Sequence, residues 1–377
     1  MPRRLIVVLA LLGTVAYAST ALAVGDDQTG HAHMTSLPAA SSATPALSSA
    51  GHDYHQPGRV HIAPLPAASN ATHELSIVGN IIWITQPAAN RVLRATITDG
   101  LVSRLQQFEL PVGTLPHGIA PLSGSSAWVT LEGTDQLVRL DGTGNVTRRI
   151  QLPAGTGPHG LVRATNGTLW YAGKEGNVVG QADPMTRRAT REIHLPDGSL
   201  PIYVTEGRNH AIWWTELTGS RVGRFQNGNV TRVLLPNSGP GSASARPIAI
   251  ESDTRGDVWF SEEAGNAAGV IPVAIAEGTR SNLTTSSIRL YPMPNPASMP
   301  AGLTVTPDGT VWVQTTHPYG VVRIRDTTVE QFDLPYRPIN GGSTAPLPHR
   351  IHVVPDGSLW YTELKGDWIG RIVPRTH

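Results

Sequence analysis

The chain contains no cysteine, which excludes disulfides and a thioether lipid anchor and leaves packing as the source of stability. Charge is also scarce: 15% of the 377 residues are charged, 29 Lys plus Arg stand against 28 Asp plus Glu, and no run of like charge occurs. A phosphate-binding surface is therefore not indicated, and nucleic acid is set aside as a partner. No segment beyond the N-terminal stretch is apolar for long enough to span a membrane, and none sustains a helical period. What the sequence has is 39 Gly and 31 Pro with 40% hydrophobic residues. That mixture suits many short strands, tight turns and a large core.

Residues 1–23 open with Arg3 and Arg4, continue through the apolar run Leu5 to Leu12 and reach Ala21-Leu22-Ala23, a small-x-small site. They read as a secretory signal peptide, so the mature protein is expected to be secreted or periplasmic. Residues 24–58 are rich in Ala, Ser, Pro and His and read as a flexible leader, with His31, His33, His52 and His55 as bystanders or loose metal ligands. Residues 59–377 are then one domain.

Seven tryptophans recur through that domain: Trp83, Trp128, Trp170, Trp213, Trp259, Trp312 and Trp360, at intervals of 45, 42, 43, 46, 53 and 48 residues. Each repeat has a turn and short strand, as in Pro116-His117-Gly118-Ile119, then a tryptophan strand, a third alternating strand, and a fourth ending in Leu-Pro or Met-Pro. Four short strands with Gly-rich turns make one antiparallel sheet, so each repeat predicts one propeller blade. The last repeat lacks its fourth strand, and an unpaired strand, Val60 to Pro66, precedes the first. The expectation is an all-β, seven-bladed β-propeller of four-stranded blades, its ring closed by the N-terminal strand in the last blade, which removes two sheet edges. The seven tryptophans are expected to pack between blades. Trp214, on the opposite face of its strand, is left to line a cleft or fill an edge. The long interval between Trp259 and Trp312 predicts extra loop around residues 269–287, either overhanging one mouth or a tolerated surface insertion.

Against this regular background two positions vary. The residue after the proline that stands twelve before tryptophan is His117, His159, Ile202, Ile248, Ala301 or His349, and in the first repeat His73 follows Thr72. An arc of imidazoles on contiguous blades supplies neutral bases near pH 7 or metal ligands, or else is a duplicated turn whose histidines bond local backbone. Carboxylates follow the tryptophans at several offsets: Glu132, Glu175, Glu216, Glu262 and Glu363. Magnesium prefers such oxygens to imidazole, so a glutamate would hold the metal and a histidine would act as base. Glu216, Glu262 and Glu363 can equally be repeated carboxylates bonded to adjacent turns.

The units around Pro158-His159-Gly160-Leu161, Trp360-Tyr361-Thr362-Glu363 and Trp368-Ile369-Gly370-Arg371-Ile372 resemble the virginiamycin B lyase (streptogramin B lyase) family over about residues 59–373. The resemblance implies a seven-bladed propeller that binds magnesium and opens a cyclic depsipeptide by elimination at its ester. It implies a site built from a histidine after proline in one blade, and Glu-Pro-His with a second glutamate in the next. On blades 2 and 3 this makes His117 the substrate contact, His159 the catalytic base and Glu175 the magnesium ligand. His73, His117 and Glu132 form an alternative on blades 1 and 2, and His349 with Glu363 one in blade 7. No blade carries Glu-Pro-His: Leu115, Gly157 and Leu347 stand where that glutamate would be. Two functions follow: a monomeric lyase acting on a small cyclic peptide or ester metabolite, or a non-catalytic extracytoplasmic propeller binding peptide or glycan. A metal-dependent lactonase is a third reading.

Overall fold

The computed structural model describes residues 57–66, 72–122, 125–236, 244–278, 283–335 and 347–375. The expected signal peptide, and all but the last two residues of the expected leader, lie outside the described residues. Within them the chain forms seven four-stranded antiparallel sheets arranged as the blades of a β-propeller. Blade 2 is typical, with strands Pro116–Pro121, Ala127–Leu131, Gln136–Leu140 and Val146–Gln151 from the centre outward. Blade 7 comprises Pro348–Val353, Leu359–Glu363, Trp368–Pro374 and, as its outermost strand, Gly58–Pro64, which runs antiparallel with Gly58 opposite Pro374.

The core is seven separate clusters, one at each seam between blades. Trp83 packs with Ile119 and Val129 of blade 2, and Trp128 with Leu161 and Tyr171 of blade 3. The series runs round to Trp360 against Leu75, Ile82 and Ile84 of blade 1. All seven tryptophans are buried. Each contributes about 4–6 kcal/mol of transfer free energy before ordering entropy is subtracted.

Because successive side chains in a strand alternate faces, the residue after each tryptophan points to the other seam of its blade. Trp214 does this: it lies wholly buried with Trp170, Val204 and Ile212 between blades 3 and 4. It therefore fills a seam and does not line a cleft. Its size explains a glycine in the neighbouring strand. Trp214 stands opposite Gly223, Tyr171 opposite Gly180, Phe260 opposite Gly269 and Tyr361 opposite Gly370. A Cβ on any of these glycines would come within 2.0–2.2 Å of the aromatic ring. Where the second-strand residue is Ile84, Val129 or Val313, the opposite residue is Leu93, Val138 or Val322, and no glycine is needed.

The long interval after Trp259 is not simply loop. The strand Ala267–Ile271 leads into a short helix, Val273–Ala276, whose first N–H donates to Asp257 Oδ1 at 2.7 Å. Ala276, Leu283 and Ile288 join the cluster around Trp213, and Arg224 donates to the carbonyls of Ala276 and Gly278 at 3.1 and 3.2 Å. The insertion is bound to the seam between blades 4 and 5 by apolar burial and carbonyl capping. Among the described residues no helix is long and apolar enough to cross a membrane.

Candidate functional site: a histidine cluster at the propeller centre

In blades 2, 3, 4, 5 and 7 the innermost strand starts at the repeated proline, which puts the variable residue of each at the ring centre; in blades 1 and 6 it starts later, at Leu75 and Leu303. The entries of the strands in blades 2, 3 and 4 are fixed from the preceding blade: Asn90 Oδ1 accepts from the Leu115 N–H at 3.2 Å, Asp135 Oδ1 from Gly157 at 2.7 Å and Asn177 Oδ1 from Leu200 at 3.0 Å. A second anchor is a hydroxyl two residues after the tryptophan. Thr130 Oγ1 accepts from Gly118 N–H of its own blade at 2.7 Å and donates to the His159 carbonyl of the next at 2.9 Å. Thr85 makes the same bridge to the His117 carbonyl at 2.9 Å and Thr362 to that of His73 at 2.7 Å. Thr215 and Ser261 repeat it toward Ile248 and Ala301.

Held this way, four imidazoles from blades 7, 1, 2 and 3 pack on one another. Ring centroids are 3.9 Å apart for His73 and His349, 4.3 Å for His73 and His117, 4.3 Å for His117 and His159, and 5.3 Å for His73 and His159. Glu132, from the end of the blade 2 tryptophan strand, reaches into this group. Its Oε2 lies 2.7 Å from His159 Nδ1 and 3.1 Å from His117 Nδ1, while Oε1 accepts from Lys174 Nζ at 2.5 Å. His117 Nδ1 also faces the Leu115 carbonyl at 3.4 Å.

On the far side Tyr203 Oη lies 3.1 Å from His349 Nε2, and Arg350 stacks over the Tyr203 ring at 4.5 Å. Arg350 donates to Glu74 Oε1 at 2.6 Å and to His352 Nε2 at 3.2 Å. Glu251, from the innermost strand of blade 5, accepts from Val305 N–H at 3.3 Å and from Thr304 at 3.4 Å.

Burial dominates the protonation of these groups, because a charge removed from water is costly unless paired. It holds His117 down to about 3, with Glu132 opposing the shift and His159 adding to it. His73 and His349 are pushed well below the ordinary histidine value, by burial and then by His349 and Arg350 respectively. His352 falls to about 3 through burial and Arg350. Glu132 goes the other way from what its burial alone would give: His117, His159 and Lys174 outweigh desolvation and hold its carboxyl below the usual range. Glu251, buried with weaker partners, rises to about 7.

The structure brings together His73, His117, His159, His349 and Glu132. Glu175 is not among them: its side chain is 63% exposed and its carboxylate faces Lys174 Nζ at 3.5 Å. A Cβ at Gly157 would meet Glu175 Cγ at 2.5 Å, so a carboxylate-bearing residue at 157 and Glu175 as placed exclude each other. Glu363 is wholly buried on the Tyr319 hydroxyl, and burial raises its pKa well above the carboxylate range. Glu216 is likewise buried, between Trp214 Nε1 at 3.0 Å and Arg232 Nε at 2.7 Å. Glu74, Tyr203, Glu251, His352 and Lys174 were not singled out by the repeat pattern, and Arg350 only as the residue that displaces the glycine after His349. The signal for three of them lies one place further on, where Gly118, Gly160 and Gly302 give way to Glu74, Tyr203 and Arg350.

Magnesium needs hard oxygen donors and keeps several waters. The carboxylate in contact with the imidazoles already accepts from two rings and an ammonium, Glu74 is held by Arg350, and Glu175 is out beside Lys174. The donor set does not suit magnesium. Two open clefts lie elsewhere, one between blades 5 and 6 beside Arg255, Arg289 and Arg325, the other between blades 3 and 4 beside Glu206 and His210.

Fold and site together define a seven-bladed propeller with a polar centre asymmetric in chemistry, imidazole-rich on one side and arginine-carboxylate on the other. The profile of the Virginiamycin B lyase family matches residues 53–286, and the chain belongs to that family. No curated protein matches by sequence. Among solved structures, a streptogramin B lyase is similar with TM-score 0.70 and 25% identity, over 84% of this chain and 98% of that one. The virginiamycin B lyase of Staphylococcus aureus is similar with TM-score 0.69 and 21% identity, over 83% and 98%. A catalytically inactive histidine-to-alanine variant of the S. aureus enzyme, solved with quinupristin, gives TM-score 0.68 and 23% identity over the same shares.

Proposed function

We propose that this protein is an exported lyase that opens a cyclic depsipeptide or related ester by elimination, with His159 as the base and His117 against the substrate. The observation that carries this reading is the 2.7 Å contact from His159 Nδ1 to Glu132 Oε2. An acceptor carboxylate there holds the ring proton on Nδ1 and leaves the Nε2 lone pair free, the state a general base requires. In the reaction, Nε2 takes a proton from the carbon beside a carbonyl. The electron pair left behind forms a carbon-carbon double bond as the bond from the neighbouring carbon to the ester oxygen breaks, and the ester departs as a carboxylate. No water is consumed, so mass is conserved. Glu132 supports the positive charge that His159 gains.

The test is purified protein incubated with a streptogramin B, read by mass spectrometry and by absorbance of the new double bond. Ring opening at unchanged mass supports the proposal. A gain of one water would assign hydrolysis instead, and an intact macrocycle would remove the antibiotic-lyase reading. One observation favours a binding propeller: His73 and His159 are only 8% and 7% exposed, and the open clefts hold none of the clustered histidines. In that reading the cluster is a structural plug and a peptide or glycan is held elsewhere on the propeller.

A further inference from the structure

We infer that His73, His117 and His159 form a binding site for a borderline divalent transition metal such as zinc, and that this site rejects magnesium. Among the described residues these three are the group able to share an ion: one ring nitrogen of each lies within 4.8 Å of the other two. Tetrahedral zinc with nitrogen at about 2.0–2.1 Å sets ligand nitrogens about 3.3 Å apart, so modest ring rotations close the set.

Three independent features point the same way. The first is orientation. Metal-bound histidines commonly donate their other N–H to a carboxylate, which fixes the tautomer and aims the free nitrogen. Glu132 Oε2 does this for two rings at once, at 2.7 Å from His159 Nδ1 and 3.1 Å from His117 Nδ1. The second is an orphan. His73 Nδ1 is buried with no hydrogen-bond partner, a costly state that a metal ion at the cluster relieves directly, or through ring rotation that frees Nδ1 to bond. The third is donor chemistry. Imidazole nitrogens suit zinc, copper, nickel and iron, and are poor ligands for magnesium. The adjacent His349 does not complete a fourth corner through Nε2, which lies on Tyr203 Oη at 3.1 Å. The fourth position is thereby open to water or to a substrate oxygen, the arrangement of zinc sites that act as Lewis acids.

The inference competes with the elimination reading for one lone pair, because His159 Nε2 cannot both ligate a metal and take a proton; metal binding is measured without turnover, so each reading stands or falls on its own experiment. Full-length protein stripped with chelator is titrated with Zn2+ by calorimetry and with Co2+ by visible absorption. A companion chain carries alanine in place of His31, His33, His52 and His55. One tight equivalent is expected in both chains. His73→Asn and His117→Asn should each weaken it at least a hundredfold, and Glu132→Gln about 10–100-fold. Millimolar Mg2+ should not displace Co2+. Cu2+ bound to the leader variant should show nitrogen hyperfine coupling in its electron paramagnetic resonance spectrum, a readout that needs no substitution in the propeller. Loss of the tight equivalent in the leader variant would overturn the inference. So would displacement by Mg2+, undiminished binding in both asparagine variants, or a copper spectrum without nitrogen coupling.

Discussion

The Nδ1 atom of His159 in blade 3 lies 2.7 Å from Oε2 of Glu132 in blade 2. The imidazole is positioned by the blade before its own, and the other oxygen of the same carboxylate is neutralised by Lys174. Removing the charge from Glu132 therefore leaves the partly buried Lys174 ammonium with only the exposed Glu175 carboxylate, 3.5 Å away. Glu132→Gln is expected to cost about 2 kcal/mol of stability, read as a lower denaturant midpoint. Adding Lys174→Met should restore part of it, since the charge then left without a partner, Glu175, is 63% exposed to water. A double variant as unstable as the sum of the singles would mean the two groups are not coupled.

Thr130 bridges the Gly118 N–H and the His159 carbonyl across a seam. Thr130→Val keeps the shape and leaves both groups unsatisfied, at about 1–3 kcal/mol. Thr215→Val breaks the equivalent bridge to Ile248, away from the histidines, at similar cost. Zinc affinity should fall in the first variant and stay unchanged in the second, with calorimetry deciding between them.

Gly223 lies where a Cβ would come within 2.0 Å of the Trp214 ring. Gly223→Ala should destabilise by about 3 kcal/mol through overpacking. Val at both positions imitates the Val129 and Val138 pair of blade 2. The double variant is expected to be more stable than the two single changes added together, as measured by thermal unfolding in a double-mutant cycle.

In chelator, stability should rise with pH from about 3 to about 6.5 and then level. His117 and His352 have folded values of about 3 against 6.5 unfolded. Between those limits the unfolded chain binds more protons, so each unit of acidification favours unfolding. Glu251 has the opposite sign: its folded value of about 7 exceeds the ordinary 4.5, so the folded state binds the extra proton and loses stability as pH rises through that window. Melting temperatures across pH 4–8 should show the histidine slope in the wild type. Glu251→Gln should gain relative to wild type at pH 8 compared with pH 5.

The fold was legible because one tryptophan per blade fills one seam, and seam spacing is a property of chain length. The histidines were legible because they occupy one place in a repeated frame. Which carboxylate serves them was not. Glu175 and Glu132 sit near the same point of their repeats, and only the blade-to-blade offset decides that Glu132 reaches inward across a seam while Glu175 turns out beside Lys174. The grouping of Arg350, Glu74 and Tyr203 was hidden for a related reason. They come from blades 7, 1 and 4, far apart in sequence, and meet only once the ring exists.

The hydroxyl bridges also divide the ring. Thr362, Thr85 and Thr130 join blades 7, 1, 2 and 3 in series, and Thr215 and Ser261 join blades 4, 5 and 6. The equivalent residues at the two remaining seams are Ala172, which has no hydroxyl, and Gln314, a buried amide without a partner. The hydroxyl bridges thus run in two arcs, and other groups span the seams between them: Asn177 Oδ1 accepts from the Leu200 N–H between blades 3 and 4, and the Tyr319 hydroxyl donates to Glu363 between blades 6 and 7. All four clustered histidines ride on the same arc, so the carbonyls of His73, His117 and His159 are tied into one continuous chain of hydroxyl bridges that fixes their strands relative to one another.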